Sequence, residues 1–135
     1  MRRFYDEVIN KKNFAAIDEF IHPQMVDHAL PPDVPAGIDG QKHVFRMYST
    51  AFPDTHFTVE DMIAEGDKVV VRLNMSATHY GAFMGLPPTG KHVRFTGIDI
   101  IRITDGKLVE RWAQTDMLGM LQQLGIVPLP GQAGL

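Results

Sequence analysis

The sequence contains no cysteine, so its 135 residues form no disulfide, no thiolate metal site and no iron–sulfur cluster, and they supply no cysteine nucleophile. It also lacks any apolar run near the roughly 20 residues that a membrane-spanning helix needs. An excess of positive charge is missing too, because 13 Lys and Arg residues stand against 16 Asp and Glu residues. Without a basic surface we expect no binding to nucleic acid.

Signals for targeting and for metal binding are also missing. Arg2 and Arg3 are followed by a charged, amphipathic segment rather than by the apolar stretch of a secretory signal, so we expect a cytoplasmic protein. The six histidines form neither an H-x-H nor an H-E-x-x-H pattern, and residues 81–90 lack the phosphate-binding glycine pattern. We therefore predict neither a metal nor a cofactor.

What the sequence does contain is enough apolar material for one core, since 44% of the residues are hydrophobic. A chain of this length usually forms a single domain. We assign residues 1–127 to that domain. Residues 128–135, which are rich in proline and glycine, are predicted to form a flexible tail.

Helical periodicity dominates the first third of the chain. Apolar residues recur at helical spacing within residues 1–10 and again after Asn13, where the second helix is expected to end at His22-Pro23. Residues 27–38 carry three prolines and are predicted to form a loop. Asp39 is a suitable N-cap for a third helix.

After residue 55 the apolar period changes to two, which is typical of strands. Helices followed by an antiparallel meander indicate an α+β fold, in which a curved antiparallel sheet forms a cone covered by about three N-terminal helices. The opening of such a cone is where a small ligand would bind. The strands are predicted from about residue 57, over 69–79, over 92–103 and over 108–115, with a short helix over 117–124.

Several short runs occur in the order in which they occur in one protein family. The runs are Phe4-Tyr5, His22-Pro23, Val26-Asp27-His28, Ala51-Phe52-Pro53-Asp54, Glu65-Gly66-Asp67-Lys68-Val69, Gly85-Leu86-Pro87-Pro88-Thr89-Gly90, Arg102-Ile103-Thr104-Asp105-Gly106-Lys107, Trp112, Asp116 and Gln123-Leu124-Gly125. On these runs, which cover residues 1–127, the chain resembles the SnoaL-like polyketide cyclases, or predicted ester cyclases, of the nuclear-transport-factor-2-like (NTF2-like) superfamily. The resemblance implies an NTF2-like, cystatin-like α+β roll, usually dimeric, that encloses a hydrophobic pocket.

The resemblance also implies a reaction. The characterised cyclases of antibiotic pathways close a ring by an intramolecular aldol reaction without metal or cofactor. They use an aspartate late in the last long strand, assisted by a histidine on the strand before it. Counted without gaps, the aspartate's position is Ala113 here and the histidine's position is Asp99. Because alanine cannot transfer a proton, the resemblance carries over the pocket but not the catalytic aspartate.

Asp99 is the first candidate catalytic residue. It lies in the apolar segment 97–101, where a buried and unpaired carboxylate would be costly, and such a group is suited to removing a proton next to a carbonyl. The alternative is that Asp99 faces solvent or pairs with an arginine of a neighbouring strand. The arginines within reach are Arg72, Arg94 and Arg111.

His28 is the second candidate catalytic residue, with Asp27 beside it as a group that could fix its tautomer or bind substrate. The alternative role for His28 is to cap the proline-rich loop. His79 would end the apolar face of the second predicted strand near the rim of the cone, either lining the pocket or simply exposed. Tyr48 and Phe83 are further candidate pocket residues, and Phe83 lies in a glycine-rich loop.

Three more candidate substrate-binding residues alternate on the last strand, namely Trp112, Gln114 and Asp116. Strict alternation places Ala113 on the opposite face, whereas the resemblance places Ala113 in the pocket, and a β-bulge would reconcile the two. Asp116 is alternatively the N-cap of the helix that follows.

Three kinds of function remain. The first is a cofactor-independent cyclase or isomerase that acts on an apolar, carbonyl-containing substrate through Asp99 and His28, or an epoxide hydrolase of the same superfamily. The second is a non-catalytic binder of an apolar small molecule. The third is a structural dimer, because Ile98 and Ile100 would point outward and suit a contact between two sheets. A homodimer through this outer sheet face is also expected for the enzyme.

Overall fold

The computed structural model describes residues 1–83 and 85–128. Within them the helices pack on one face of a five-stranded sheet, and the strand order is β1-β5-β4-β3-β2. The predicted α+β fold is therefore confirmed. The sheet is open, with β1 at one edge and β2 at the other. Apart from Pro128, the predicted C-terminal tail lies outside the described residues.

The helices follow the predicted periodicity closely. α1 (Arg2–Phe4) continues directly into a π-helical segment, Tyr5–Asn10. A 3-10 turn then leads into α2 (Ile17–Phe20). α3 is the long helix, Gly37–Ala51, and α4 is Met117–Gln123. Within the described residues, none of these helices is long and apolar enough to cross a membrane.

Four of the five strands form an antiparallel meander, as predicted. β2, β3, β4 and β5 pair in sequence order through antiparallel ladders. Their alternating residues bury one side of the sheet against the helices and leave the other side toward solvent. The bounds are β1 (Ile21–Asp27), β2 (His56–Glu65), β3 (Lys68–Thr78), β4 (His92–Thr104) and β5 (Lys107–Thr115).

The sheet is mixed because β1 pairs in parallel with β5, whereas the sequence predicts a wholly antiparallel sheet. From the sequence, His22-Pro23 predicts only the end of a helix, but Pro23 lies within this strand, which pairs in parallel with β5. Proline is tolerated here because β1 is an edge strand and its register shifts between Ile21 and Val26. α3 also begins earlier than Asp39. It starts at Gly37, which has a φ of +72° and approaches Pro23 so closely that a Cβ would overlap the Pro23 carbonyl oxygen.

The inner face of the sheet is the one that the helices cover. Its central core joins Val8 of the π-helical segment to Val71 and Leu73 of β3 and Ile101 of β4, each at most 2% exposed. A second apolar cluster, which includes Phe52, Phe83 and Met120, covers the other end of the sheet beside α4. Two apolar clusters thus cover the inner face of the sheet.

Register decides which candidate residues share that face. Asp99 is paired with Val71 on one side and with Ala113 on the other, and directly paired residues project to the same face. The pairing of β4 with β5 shifts between Arg102 and Ile103, before β5 reaches Ala113. Beyond this shift Ala113 faces inward and Trp112 faces outward. The position implied by the resemblance is therefore on the inner face, and Trp112 and Gln114 alternate with it on the outer face.

Candidate active site

Asp99 is the buried carboxylate at the centre of the inner face. It is 6% exposed, and the Tyr5 hydroxyl donates a hydrogen bond of 2.6 Å to its Oδ2 atom. Arg111 Nη2 donates to its Oδ1 atom at 3.2 Å. Of the two alternatives for Asp99, pairing with an arginine of a neighbouring strand is the one that the structure contains.

Arg111 joins Asp99 to a second carboxylate, Asp27, at the end of β1. Asp27 and Arg111 are direct partners across the parallel ladder, and Arg111 Nη1 donates to the two Asp27 oxygens at 2.9 and 3.2 Å. Gln41 Nε2 of α3 donates to Asp27 at 2.7 Å, and the Ala29 backbone N–H donates at 2.9 Å. These side chains form one carboxylate–arginine cluster, which consists of Tyr5, Asp27, Gln41, Asp99 and Arg111.

The two carboxylates of this cluster differ in their free hydrogen-bonding capacity. An ionised carboxylate can accept about four hydrogen bonds. Asp27 accepts four contacts and its side chain is 1% exposed, whereas Asp99 accepts two. Asp27 therefore anchors Arg111, while Asp99 keeps lone pairs available for a further partner.

Charge and burial fix the protonation of the donors in the cluster. Burial, reinforced by the neighbouring Asp99, raises the pKa of Tyr5 far above its ordinary value, so its hydroxyl remains a donor. Burial alone would lower the pKa of Arg111, but Asp99 and Asp27 outweigh it and raise that pKa. Burial also raises the pKa of Tyr48, against the opposing positive charge of Arg111. Tyr5, Tyr48 and Arg111 thus keep their protons at neutral pH and can donate hydrogen bonds.

The cluster reaches solvent through Arg111, whose side chain is 26% exposed. A guanidinium has five N–H groups, and the contacts with Asp27 and Asp99 use three at most. Two N–H groups are left for a ligand. Ala113, half-buried beside Asp99, adds little side-chain volume on this part of the inner face.

His28 lies on the outer face of the sheet and is not brought together with Asp99. Its side chain is 44% exposed, its Nε2 atom donates to Glu110 at 2.7 Å, and its ring stacks on Trp112 at 5.1 Å. The hydrogen bond from His28, aided by the charges of Arg102 and Lys68, lowers the pKa of Glu110. Because Asp27 points inward, its neighbour His28 must point outward, which corrects the expectation of a shared Asp99–His28 pocket.

The other candidates on β5 also lie away from Asp99. Trp112 is paired with Ile100 and Gln114 with Ile98, so both are on the outer face. Asp116 caps α4, accepting a 2.9 Å hydrogen bond from the Gly119 backbone N–H. Contrary to the expectation, these three residues do not line the inner face beside Asp99. For Asp116, the structure shows the alternative role of N-cap of α4.

Tyr48, Phe83 and His79 belong to one run of ring contacts, and the charge of Arg111 acts on the Tyr48 end of this run. The ring centroids of Tyr48 and Phe83 are 5.3 Å apart, Phe83 is 5.1 Å from Phe52, and Phe52 is 5.4 Å from His79. We call these four rings the aromatic row. His79 is fully buried rather than exposed at a rim.

The residues that sequence reasoning missed are Tyr5 and Gln41, while Arg111 was named only as a possible partner. Tyr5 is spaced like a core residue of the first helix, and its hydroxyl gives no signal of a partner 94 positions away. Among residues 1–83 and 85–128, no group of three or more His, Asp or Glu side chains is placed to hold a metal ion.

Known proteins resemble the chain over most of its length. Residues 1–124 match the model of the SnoaL-like polyketide cyclase family. The nogalonic acid methyl ester cyclase of Streptomyces nogalater is 31% identical over 122 residues, which cover 87% of this chain and 89% of that protein. The aklanonic acid methyl ester cyclase DnrD of Streptomyces peucetius is 29% identical and covers 79% of this chain and 72% of its own.

A solved structure agrees with these sequence relatives. That of TsrD from Streptomyces laurentii superposes with a TM-score of 0.86 at 31% identity, covering 94% of this chain and 92% of TsrD. Family model, curated relatives and fold all agree over almost the whole domain. The chain belongs to the SnoaL-like polyketide cyclase family.

Proposed function

We propose that this protein is a cofactor-independent cyclase that closes a ring in a carbonyl-rich polyketide ester, with Asp99 as the base. The observation that carries the proposal is the unequal bonding of the two buried carboxylates. Asp99 is held by Tyr5 and Arg111 but retains acceptor capacity. The comparisons support the substrate class, since both relatives are named as acid methyl ester cyclases and the family model is that of a polyketide cyclase.

The proposed reaction starts with proton transfer to Asp99. A carbon between two carbonyl groups gives its proton to the free lone pair of Asp99, and the enolate oxygen accepts hydrogen bonds from the two remaining N–H groups of Arg111. The enolate carbon then attacks a second carbonyl carbon of the same molecule, forming one C–C bond. The resulting alkoxide takes the proton back from Asp99, so the base is regenerated, the product is an isomer of the substrate and no redox partner is consumed.

Tyr48 is proposed to orient the carbonyl that is attacked. It lies on α3, its ring adjoins Phe83, and its pKa is raised by burial, so it offers an un-ionised hydroxyl. A hydrogen bond from this hydroxyl to the acceptor carbonyl would strengthen as that oxygen becomes an alkoxide. Tyr48 would therefore favour the transition state over the bound substrate.

The pairing of Asp99 with Ala113 supports this assignment. The resemblance implies a catalytic aspartate at the position of Ala113, and Asp99 is its direct neighbour across the β4–β5 ladder on the same face. A carboxylate is thus supplied from β4 instead of β5, within about 5 Å between paired Cβ atoms. His28, Trp112 and Gln114 have no part in the proposed reaction.

The function is tested by incubating the purified chain with nogalonic acid methyl ester and following the product by chromatography and mass spectrometry. We expect a new species of unchanged mass, formed without added metal or nucleotide. Saturable binding with no product would instead support the alternative of a non-catalytic binder, and hydration of an added epoxide would support the hydrolase alternative. Either result would overturn the cyclase proposal.

We also propose a homodimer through the outer face of the sheet. Ile98 is 47% exposed there, and a groove of about 430 Å³ runs beside it between Arg72 and Gln114. An exposed apolar strip with a polar rim suits a self-complementary two-fold contact. The dimer would bury Ile98 without covering Asp99, which faces the other side.

Sedimentation measurements test the dimer. The chain is expected to sediment at about twice its mass of 15.1 kDa, and Ile98→Lys is expected to shift it to the monomer. Leu118→Lys is the matched control, since Leu118 is 57% exposed on α4 and away from the sheet. A wild-type monomer, or an Ile98→Lys dimer as stable as the control, contradicts the proposed interface.

We further propose that the protein works in the cytoplasm on a small-molecule partner alone. The balance of 13 basic and 16 acidic residues supports this, because it offers no general attraction to nucleic acid. The proposed isomerisation also needs no partner beyond the substrate.

A further inference from the structure

His79 is a fully buried histidine that the proposed reaction does not use. Its Nδ1 atom accepts a hydrogen bond of 3.2 Å from the Thr89 backbone N–H. The Thr89 hydroxyl, which itself accepts from the Lys91 backbone N–H, lies 3.1 Å from the same Nδ1 atom and can donate to it. Two donors at Nδ1 place the ring proton on Nε2 in the neutral imidazole.

That Nε2–H group has no partner among the described residues, although the atom is buried. Buried polar groups in folded proteins are nearly always paired, because an unpaired donor has lost its bond to water without replacement. An unpaired donor of this kind can be explained by a ligand oxygen that completes it. His79 is therefore poised to bind an acceptor rather than to stabilise the unbound protein.

The surroundings of His79 define what that acceptor is attached to. Its ring stacks on Phe52 at 5.4 Å, and the aromatic row continues through Phe83 to Tyr48. Flat apolar faces favour a flat apolar ligand, and they disfavour a charged one, which would lose its hydration. The acceptor is thus a neutral oxygen on a planar ring.

Phe83 occupies the space that such a ring would need. It is 1% exposed, but it belongs to a loop and not to the sheet. Among the described residues, its backbone is hydrogen-bonded to Leu86 of the same loop, in both directions, at 2.8 and 3.0 Å. Gly81 and Gly85 lie on either side of it, and Gly85 has a φ of +77°. Phe83 is therefore held in the aromatic row by its side-chain packing and by its own loop, not by a strand ladder.

We propose that the aromatic row is a second ligand subsite, in which His79 Nε2–H donates to a carbonyl or phenol oxygen of a planar ring that displaces Phe83. Tyr48 lies at one end of the aromatic row and His79 at the other. The subsite at the His79 end would hold the part of the substrate that lies beyond the carbonyl oriented by Tyr48. In that respect the inference rests on the proposed function.

Binding of two matched probes tests the subsite without using catalysis. 9-Fluorenone and fluorene are planar tricycles that differ at one carbon, which is a carbonyl group in fluorenone and a methylene group in fluorene. By calorimetry we expect the wild-type chain to bind fluorenone at least tenfold more tightly, about the worth of one hydrogen bond. In His79→Phe the two affinities should become equal. Equal affinities in the wild type, or a preference that survives in His79→Phe, would overturn the proposal.

A control and a second readout keep the test decisive. His43→Phe changes an exposed histidine of α3 and should keep the wild-type preference for fluorenone. Nitrogen-15 NMR of the wild type follows Nε2–H of His79 directly, even if His79→Phe fails to fold. Its proton should shift downfield with fluorenone and not with fluorene. An unchanged signal would mean that His79 binds only structural water, while the Asp99 chemistry would remain open to its own assay.

Discussion

Replacement of Asp99 by asparagine is expected to lower the rate of ring closure by roughly 10²–10⁴-fold, the range that a general base contributes. The amide has nearly the same shape as the carboxylate and can still accept a hydrogen bond from Arg111, while Tyr5 can rotate its hydroxyl to accept from the new NH₂ group. The fold should therefore persist. What the amide cannot do is take a proton from carbon.

The measurement is kcat for nogalonic acid methyl ester, with urea unfolding as the check on stability. Asp27→Asn is the matched control, because it makes the same change at the carboxylate whose acceptor capacity is already used. It should cost stability and much less of kcat than Asp99→Asn. An Asp99→Asn protein with full activity, or equal kcat losses in both variants, would falsify the role of Asp99 as the base.

The sequence predicts most of the fold because periodicity is local. The helical spacing before residue 55 and the alternation after it locate α3, β3, β4 and β5 to within a few residues. Local periodicity does not predict β1, since its partner β5 is more than 80 positions away in the chain. A short edge strand that contains Pro23 carries little local signal of its own.

The missing strand also explains the error at His28. Successive side chains of a strand point to opposite faces, so recognition of β1 would have separated Asp27 from His28 at once. The shift in the β4–β5 ladder had the same effect at Trp112, whose face could not be deduced from alternation alone. The predicted site therefore combined the buried carboxylate of Asp99 with residues from the opposite side of the sheet.

The contacts within the carboxylate–arginine cluster could not be predicted in the same way. Tyr5 meets Asp99 across 94 positions and Asp27 meets Arg111 across 84, so tertiary packing alone decides these contacts. Physical reasoning did indicate that a carboxylate in an apolar strand needs a partner, because an unpaired buried charge is costly. It left three arginines open, and only the register of β4 with β5 selects Arg111.

Removal of Arg111 is therefore expected to be the most destabilising single change in the cluster. Arg111→Met keeps much of the side-chain volume but leaves two buried carboxylates without their shared cation. Removing one partner of a buried ion pair typically costs about 3–5 kcal/mol of unfolding free energy. Arg72→Met is the matched control, because the bond of Arg72 to Asp61 joins side chains that are 53% and 57% exposed and is worth at most about 1 kcal/mol.

A double-mutant cycle in urea separates lost attraction from stranded charge. Adding Asp27→Asn to Arg111→Met removes one of the two unpaired carboxylates, so the double variant should be more stable than the sum of the single losses predicts. Coupling of about 1 kcal/mol or more is expected, since the two side chains are in direct contact. Additive losses, or an Arg111→Met protein as stable as Arg72→Met, would mean that Arg111 does not hold the two carboxylates in the inner face. Asp99 would then have no fixed cation with which to stabilise an enolate.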